Sequence, residues 1–256
     1  MAARNKYFAY SAHGSAFGGV ITKPSPLTIP TQAMASLSPS GGYGTSSVEN
    51  FGVKELAFIR KATTTVQGDG AQTEVTVTIE DADLAGVMQF SRIVMHITCT
   101  ADPAGYESCI SPIGSTIEGL RVNGSYIDLV NKADVFNTCA TYTALERAYV
   151  GGDLRGLILA PGSLGAPCDA KDMNGCVTRQ GDVRATIFPL DQIKSPFPIE
   201  NGGIRIKDFG TIYLGQMTVS KYARNLTMLR VELGCDRDGS GSYGSGGGNG
   251  HEEPPS

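Results

Sequence analysis

Tryptophan is absent from the 256 residues, and histidine occurs only three times. Charged residues make up 18% of the chain, and its formal net charge is -4 at pH 7. A chain with few charges and an acidic balance has no general attraction for a phosphate backbone, so we do not expect nucleic acid as a partner. No apolar run approaches the roughly 18 residues that a membrane-spanning helix needs.

Signatures of common catalytic and phosphate-binding sites are missing as well. The chain contains no Cys-x-x-Cys, no Gly-x-Ser-x-Gly and no Gly-Lys dipeptide. These absences exclude thioredoxin-like sites, the nucleophile elbow and the P-loop. His96 falls in the middle of a strand pattern, where a hydrogen-bonded or solvent-facing ring is more common than a general base. We therefore expect no enzymatic activity.

Glycine is abundant, with 33 residues, and hydrophobic residues make up 41% of the chain. This mixture is typical of many short strands joined by tight turns. Apolar and polar residues alternate from Thr73 to Glu80 and again from Ile93 to Cys99, which predicts strands with one buried face. Asn123-Gly124 predicts a two-residue hairpin turn in which Arg121 pairs with Tyr126 on the outer face.

The composition divides the chain into three parts. Residues 1–50 contain four prolines and are predicted to form an extended segment with edge strands, because proline cannot donate a hydrogen bond within a central strand. Residues 51–235 predict the core of an antiparallel, jelly-roll-like β-sandwich, with a helix and loop insertion over about residues 131–200. One short helix is predicted from Thr143 to about Val150, with Gly151-Gly152 as its stop. Residues 236–256 predict a flexible, Gly/Ser-rich tail.

The even number of cysteines allows three disulfides. Two pairs are close enough in sequence to staple loops, and a third pair would join distant parts of the chain. The alternative is a cytosolic protein with six reduced thiols. The predicted pairs are Cys99 with Cys109, Cys168 with Cys176, and Cys139 with Cys235.

One loop carries the oxygen ligands that calcium prefers. Asp169, Asp172 and Asn174 lie between the two cysteines of the predicted second pair. Hard cations bind clustered carboxylate and amide oxygens, so this loop is a candidate calcium site. The alternative is an ordinary turn, because Asp and Asn are common turn residues. We expect no other cofactor.

Several short motifs resemble the choice-of-anchor P type of bacterial secreted β protein. They include the strand Val75–Ile79, the stretch Leu120–Gly124 and the stretch Phe209–Leu214. The resemblance implies a secreted or surface β-sandwich with no assigned enzymatic activity, and it transfers no catalytic residues. The chain departs from that pattern because it shows no signal peptide, carries the insertion and ends in a Gly/Ser tail without an anchor.

These observations predict a non-enzymatic structural or surface β protein that assembles with copies of itself, or with surface components, by strand addition through residues 1–50. The alternative is a module that binds calcium, a glycan or a small ligand through loops at one end of the sandwich. We expect an extracellular or cell-surface location, with the cytoplasm as the alternative. The tyrosines that offer stacking faces for a sugar are Tyr43, Tyr106, Tyr126 and Tyr142.

Overall fold

The computed structural model describes residues 7–23, 26–54, 56–101, 107–152, 154, 156–160, 183–200, 202–220, 224–234 and 238–253. In these residues the strands form two antiparallel sheets, one of ten strands and one of eight. The apolar faces of the two sheets pack against each other and form one core. The predicted all-β sandwich is therefore confirmed.

The first sheet contains both ends of the described chain. Its strands are β1 (Tyr7–Lys23), β2 (Leu27–Gln32), β3 (Ala35–Ser36), β12 (Ile158–Ala160), β13 (Val183–Thr186), β14 (Ile199–Glu200), β15 (Gly203–Ile206), β16 (Gly210–Val219), β17 (Arg224–Leu233) and β18 (Asp238–Glu253). The main strand order of this sheet is β12-β13-β16-β17-β18-β1-β2.

The second sheet is built mainly from consecutive hairpins. Its strands are β4 (Gly42–Val53), β5 (Ala57–Asp69), β6 (Gln72–Leu84), β7 (Met88–Thr100), β8 (Cys109–Ser111), β9 (Thr116–Glu118), β10 (Arg121–Val122) and β11 (Ser125–Tyr126). Their main order is β11-β10-β7-β6-β5-β4. The two alternating segments predicted from the sequence lie in the centre of this sheet, and Val77, Ile79, Ile93 and Met95 are fully buried.

Two short helices, α1 (Ala133–Thr138) and α2 (Tyr142–Gly151), follow the second sheet. The predicted helix corresponds to α2, and Gly152 ends it in a left-handed conformation. Its N-cap is Thr141, whose hydroxyl oxygen accepts a hydrogen bond from the backbone amide of Ala144. The sequence pattern places this cap at Thr143, two residues too late. Among the described residues, no helix has the length and apolarity needed to cross a membrane.

The predicted flexible tail is wrong, because residues 238–253 form the strand β18. This strand pairs with β17 on one side and with β1 on the other. At Gly246, a Cβ atom would lie 2.7 Å from the Met95 Cε atom and 2.7 Å from the His13 carbonyl oxygen. Side chains and backbone from neighbouring strands fill the space beside the glycine, so the segment is ordered despite its composition.

The prediction for residues 1–50 is correct only for part of the segment. Strands β2 and β4 lie at sheet edges, as expected. Strand β1 does not, because it pairs with β18 along most of its length and with β2 and β3 on its other side. Strand β1 is therefore an internal strand of the first sheet and is not available for strand addition.

A buried tyrosine at the centre of β18 joins the two sheets. The ring of Tyr243 stacks on Phe17 with 4.5 Å between centroids and meets the edge of Phe90 at 5.5 Å. The hydroxyl is fully buried and has no hydrogen-bond partner among the described residues. The aromatic contacts stabilise the core, whereas the unpartnered hydroxyl costs free energy.

We expect Tyr243→Phe to raise the free energy of unfolding at pH 7 by about 1–2 kcal/mol, because only the unpartnered hydroxyl is removed. Burial, with a smaller contribution from Asp83, raises the pKa of this hydroxyl above its ordinary value. The folded chain therefore keeps a proton that the unfolded chain releases above a pH of about 10, and stability falls there by up to about 1.4 kcal/mol per pH unit. Tyr243→Phe lacks that slope. Urea unfolding at neutral and alkaline pH measures both effects.

Tyr213→Phe is the matched control, because the Tyr213 hydroxyl donates to Glu232 at 3.0 Å and is not buried without a partner. We expect no stabilisation from this change. A loss of stability in Tyr243→Phe at pH 7 would show that the hydroxyl has a partner in solution.

Candidate functional site

The predicted Cys99–Cys109 disulfide is not formed. Cys99 lies opposite Ile110, and Cys109 lies opposite Thr100 on the next position of the ladder. Directly opposed residues share one face of a sheet and successive residues alternate, so Cys99 points into the core and Cys109 points outward. A disulfide needs Cβ atoms about 4 Å apart, which opposite faces do not allow.

The other predicted pairs fall wholly or partly on residues that the structure does not describe. Cys168, Cys176 and Cys235 lie outside the described residues, and so does the candidate calcium loop of Asp169, Asp172 and Asn174. Cys139 is buried at the end of α1, and no disulfide joins it to Cys99 or Cys109. Within the described ranges, no three His, Cys, Asp or Glu side chains are placed to hold a metal ion.

The acidic residues of β6 are held by their neighbours. Arg60 donates to Asp81 at 2.6 Å and to Glu80 at 2.7 Å, and these bonds raise the pKa of its guanidinium group. The carboxylate of Asp83 accepts the Gly86 amide at 2.7 Å and the Gln89 side-chain amide at 2.6 Å. These contacts fix the outer surface of the second sheet.

His96 is also bound in place. Its Nε2 atom lies 3.1 Å from a carboxylate oxygen of Glu74, and its Nδ1 atom lies 2.6 Å from the carbonyl oxygen of Ile113. Both ring nitrogens therefore have partners on the strand surface. The arrangement agrees with the expectation that this ring is hydrogen-bonded.

A buried arginine, which the sequence pattern did not single out, connects the two sheets. The Arg224 side chain is 1% exposed and donates to the carbonyl oxygens of Ile110, Phe136 and Cys139, at 3.0 Å for Phe136. Burial lowers the pKa of the guanidinium group to about 10. Two of its acceptors lie at the C-terminal end of α1, where the helix dipole favours a cation. The arginine therefore holds β8 and α1 against the start of β17.

The strand edges differ in how well they are protected against pairing with another chain. Strand β2 has six residues and contains Pro30, while β12 has three residues and β11 and β14 have two each. Short strands and proline discourage further pairing. Strand β4 has twelve residues, contains no proline or lysine and carries a single charge at Glu49. Among the described residues, its only partner strand is β5.

The middle of β4 is the most regular part of this edge. Thr45, Ser47 and Glu49 are exposed and pair across the ladder with β5. Asn50 then adopts a φ of 50°, and the ladder skips this residue while the register is kept, so the regular pairing is interrupted after Glu49. A Cβ atom at Gly44 would lie 3.3 Å from the Ser36 carbonyl oxygen, so residues of β3 approach β4 before Thr45. In an edge strand, alternate amide and carbonyl groups point away from the sheet and are available to a partner strand.

The family described as a domain of unknown function, DUF8256, matches residues 8–153. The match covers more than half of the 256 residues. The chain belongs to the DUF8256 family. No curated protein and no solved structure matches it.

The DUF8256 match includes all eight strands of the second sheet and the first three strands of the first sheet. It therefore includes the free edge of β4. The matched region does not include β18, which pairs with β1 over most of its length. Residues after the DUF8256 match are thus needed to complete the sandwich around β1.

Proposed function

We propose that the chain is a non-catalytic structural protein that acts outside the cell or at its surface and assembles with further copies of itself. The observation that carries this proposal is the free edge of β4, the longest strand edge without a protecting proline or lysine among the described residues. Main-chain hydrogen bonds across such an edge extend a sheet from one chain into the next. The resemblance to secreted β proteins supports the same class of function.

The proposed contact is an antiparallel pairing of β4 with β4 of a second copy, centred on Ser47. A two-fold axis at Ser47 places Thr45 of each copy opposite Glu49 of the other. No like charges are then directly opposed. Glu49 already pairs with Lys61 at 3.5 Å within its own chain, which partly neutralises the edge.

We expect the double change Thr45→Glu and Ser47→Glu to weaken self-association by about tenfold or more, because it places carboxylates opposite each other across the axis. The matched control is Thr63→Glu with Thr65→Glu, which lie opposite the same two positions on β5 but not at the edge. Sedimentation equilibrium over a range of concentrations measures the association constant. A wild-type chain that stays monomeric, or equal losses in both double variants, would contradict the proposal.

A single substitution that introduces a positive charge tests the register of the proposed pairing. Thr45→Lys places an ammonium group opposite Glu49 of the partner copy, so we expect it to strengthen self-association by about two- to fivefold. In any other register the lysine would act as an ordinary protecting charge and weaken the contact. The same sedimentation experiment distinguishes the two results.

A further inference from the structure

Five side chains form one continuous row across the outer face of the second sheet. Tyr126 lies opposite Arg121, and Arg121 lies opposite Gln89 on the next strand. Gln89 lies opposite Asp83, and Asp83 lies opposite Phe58. The row crosses five strands, and because neighbouring strands are about 4.8 Å apart, it is about 19 Å long. We call it the cross-strand row.

Exposed aromatic rings stand at both ends of the cross-strand row. Tyr126 is 63% exposed and Phe58 is 45% exposed. The guanidinium carbon of Arg121 lies 4.1 Å from the centroid of the Tyr126 ring, and the same guanidinium donates to the Tyr126 hydroxyl. One face of this ring is therefore fixed by Arg121, and the exposed part of the ring is held in a defined orientation.

The middle of the cross-strand row carries oriented hydrogen-bonding groups. Asp83 accepts bonds from Gly86 and Gln89, which fixes its carboxylate and turns the carbonyl oxygen of the Gln89 side chain away from it. Each carboxylate oxygen retains capacity for a further donor. Arg121 has no carboxylate partner among the described residues and keeps further N–H groups beyond the one given to Tyr126.

The cross-strand row lies in a groove of about 420 Å³. Asp81, Ser91 and Gly119 line its side. Asp81 adopts a φ of 46°, and the pairing of β6 with β5 and with β7 skips this residue. Gly119 adopts a φ of 66°, and a Cβ atom there would lie 2.5 Å from the Ser91 hydroxyl oxygen. The groove is thus shaped by the backbone, and its volume is in the usual range for ligand sites, about 300–1,000 Å³.

We propose that this groove binds a linear, neutral oligosaccharide. A sugar ring has an apolar face that stacks on an aromatic ring and hydroxyl groups at its edge that bond to carboxylate, amide and guanidinium groups. The cross-strand row offers these surfaces in the order aromatic, polar, polar, polar, aromatic, over a length that accommodates several consecutive rings. Within the row, the cation Arg121 is balanced by the carboxylate Asp83, and the Asp81 carboxylate at the side of the groove is already paired with Arg60 at 2.6 Å, so the groove has no unpaired excess charge for an ionic ligand. This site is independent of the β4 edge.

The test is calorimetric titration of the full chain with neutral gluco-, xylo-, manno- and chito-oligosaccharides of increasing length. We expect at least one series to bind, with affinity that rises with length until the cross-strand row is filled. Phe58→Ala and Tyr126→Ala should each weaken binding by about tenfold or more. Tyr43→Ala is the matched control, because Tyr43 is 66% exposed but lies outside the row. Thermal unfolding of each variant confirms that it is folded.

Three results would overturn the proposal. The first is no binding by any neutral series. The second is binding only to chains that contain uronic acids, which would indicate an anionic ligand held by Arg121. The third is an equal loss in Tyr43→Ala. Gln89→Leu adds a check that does not depend on an aromatic ring, since it removes a hydrogen-bonding group from the middle of the row and should also weaken binding.

Discussion

A chain that lacks residues 238–253 should show no cooperative unfolding transition. Strand β18 lies between β17 and β1 and pairs with β17 along one edge and with β1 along its other edge. Its removal separates β1, β2 and β3 from the rest of the first sheet and uncovers the core around Phe17. Because the whole free energy of unfolding of a domain is about 5–15 kcal/mol, we expect this loss to exceed it. Circular dichroism during urea titration measures the transition.

A pair of glycine substitutions tests the same strand with less disruption. Gly246→Ala inserts a Cβ atom 2.7 Å from the Met95 Cε atom and from the His13 carbonyl oxygen. We expect a loss of about 1–3 kcal/mol, the usual cost of overpacking. Gly52→Ala is the control, because its Cβ atom would meet neighbours only at 3.9 Å or more. A truncated chain with wild-type stability, together with a neutral Gly246→Ala, would mean that the segment is a flexible tail after all.

Replacing Arg224 with methionine should lower the free energy of unfolding by about 2–4 kcal/mol. The change leaves the carbonyl oxygens of Ile110, Phe136 and Cys139 without this donor. Each buried group that loses its partner costs about 1–3 kcal/mol, while removal of the buried charge returns part of the loss. Urea unfolding at neutral pH measures the difference.

Arg147→Met is the matched control, because Arg147 is exposed on α2. We expect it to change the free energy of unfolding by less than about 0.5 kcal/mol. Arg224→Lys should lie closer to Arg224→Met than to the wild type, since a lysine cannot reproduce the planar fork that reaches three acceptors. A neutral Arg224→Met would show that water or another donor satisfies the three carbonyl groups.

Local patterns in the sequence predicted the hairpins and the inward faces of the long strands. Asn123 and Gly124 adopt positive φ values of 46° and 76°, and Arg121 pairs with Tyr126 as predicted. The alternation in β6 and β7 is confirmed by burial of the predicted residues. Period and turn chemistry are local properties, so they can be obtained from a single sequence.

Features that depend on the register between distant segments could not be obtained in this way. The predicted Cys99–Cys109 disulfide was wrong because the distance between two residues in the sequence does not determine which face of the sheet each one occupies. Strand β18 was missed because glycine and serine have low intrinsic β propensity, and only the neighbouring strands supply its contacts. The cross-strand row needed the register of five strands, although its first pair, Arg121 and Tyr126, was already visible.

The sequence also predicted strict alternation in the last long strand before the tail, with Thr227, Leu229, Val231 and Leu233 on one face. The structure instead buries Met228 together with Leu229, and the pairing skips Gly215, which has a φ of 54°. The register is the same on both sides of this point, so no residue is inserted; the pair Gly215 and Met228 is skipped, and the buried side of β17 changes between Met228 and Leu229. This irregularity involves both strands, so the apolar pattern of one segment does not reveal it.

Hydrogen exchange at the amides of β4 tests the proposed assembly most directly. In a single chain, alternate β4 amides point away from β5 and should exchange rapidly. At concentrations where copies associate, we expect amides between Thr45 and Glu49 to become protected, and to lose that protection on dilution or in the Thr45→Glu, Ser47→Glu variant. Equal exchange rates in these amides at all concentrations, in a sample that sedimentation shows to be associated, would contradict assembly through β4.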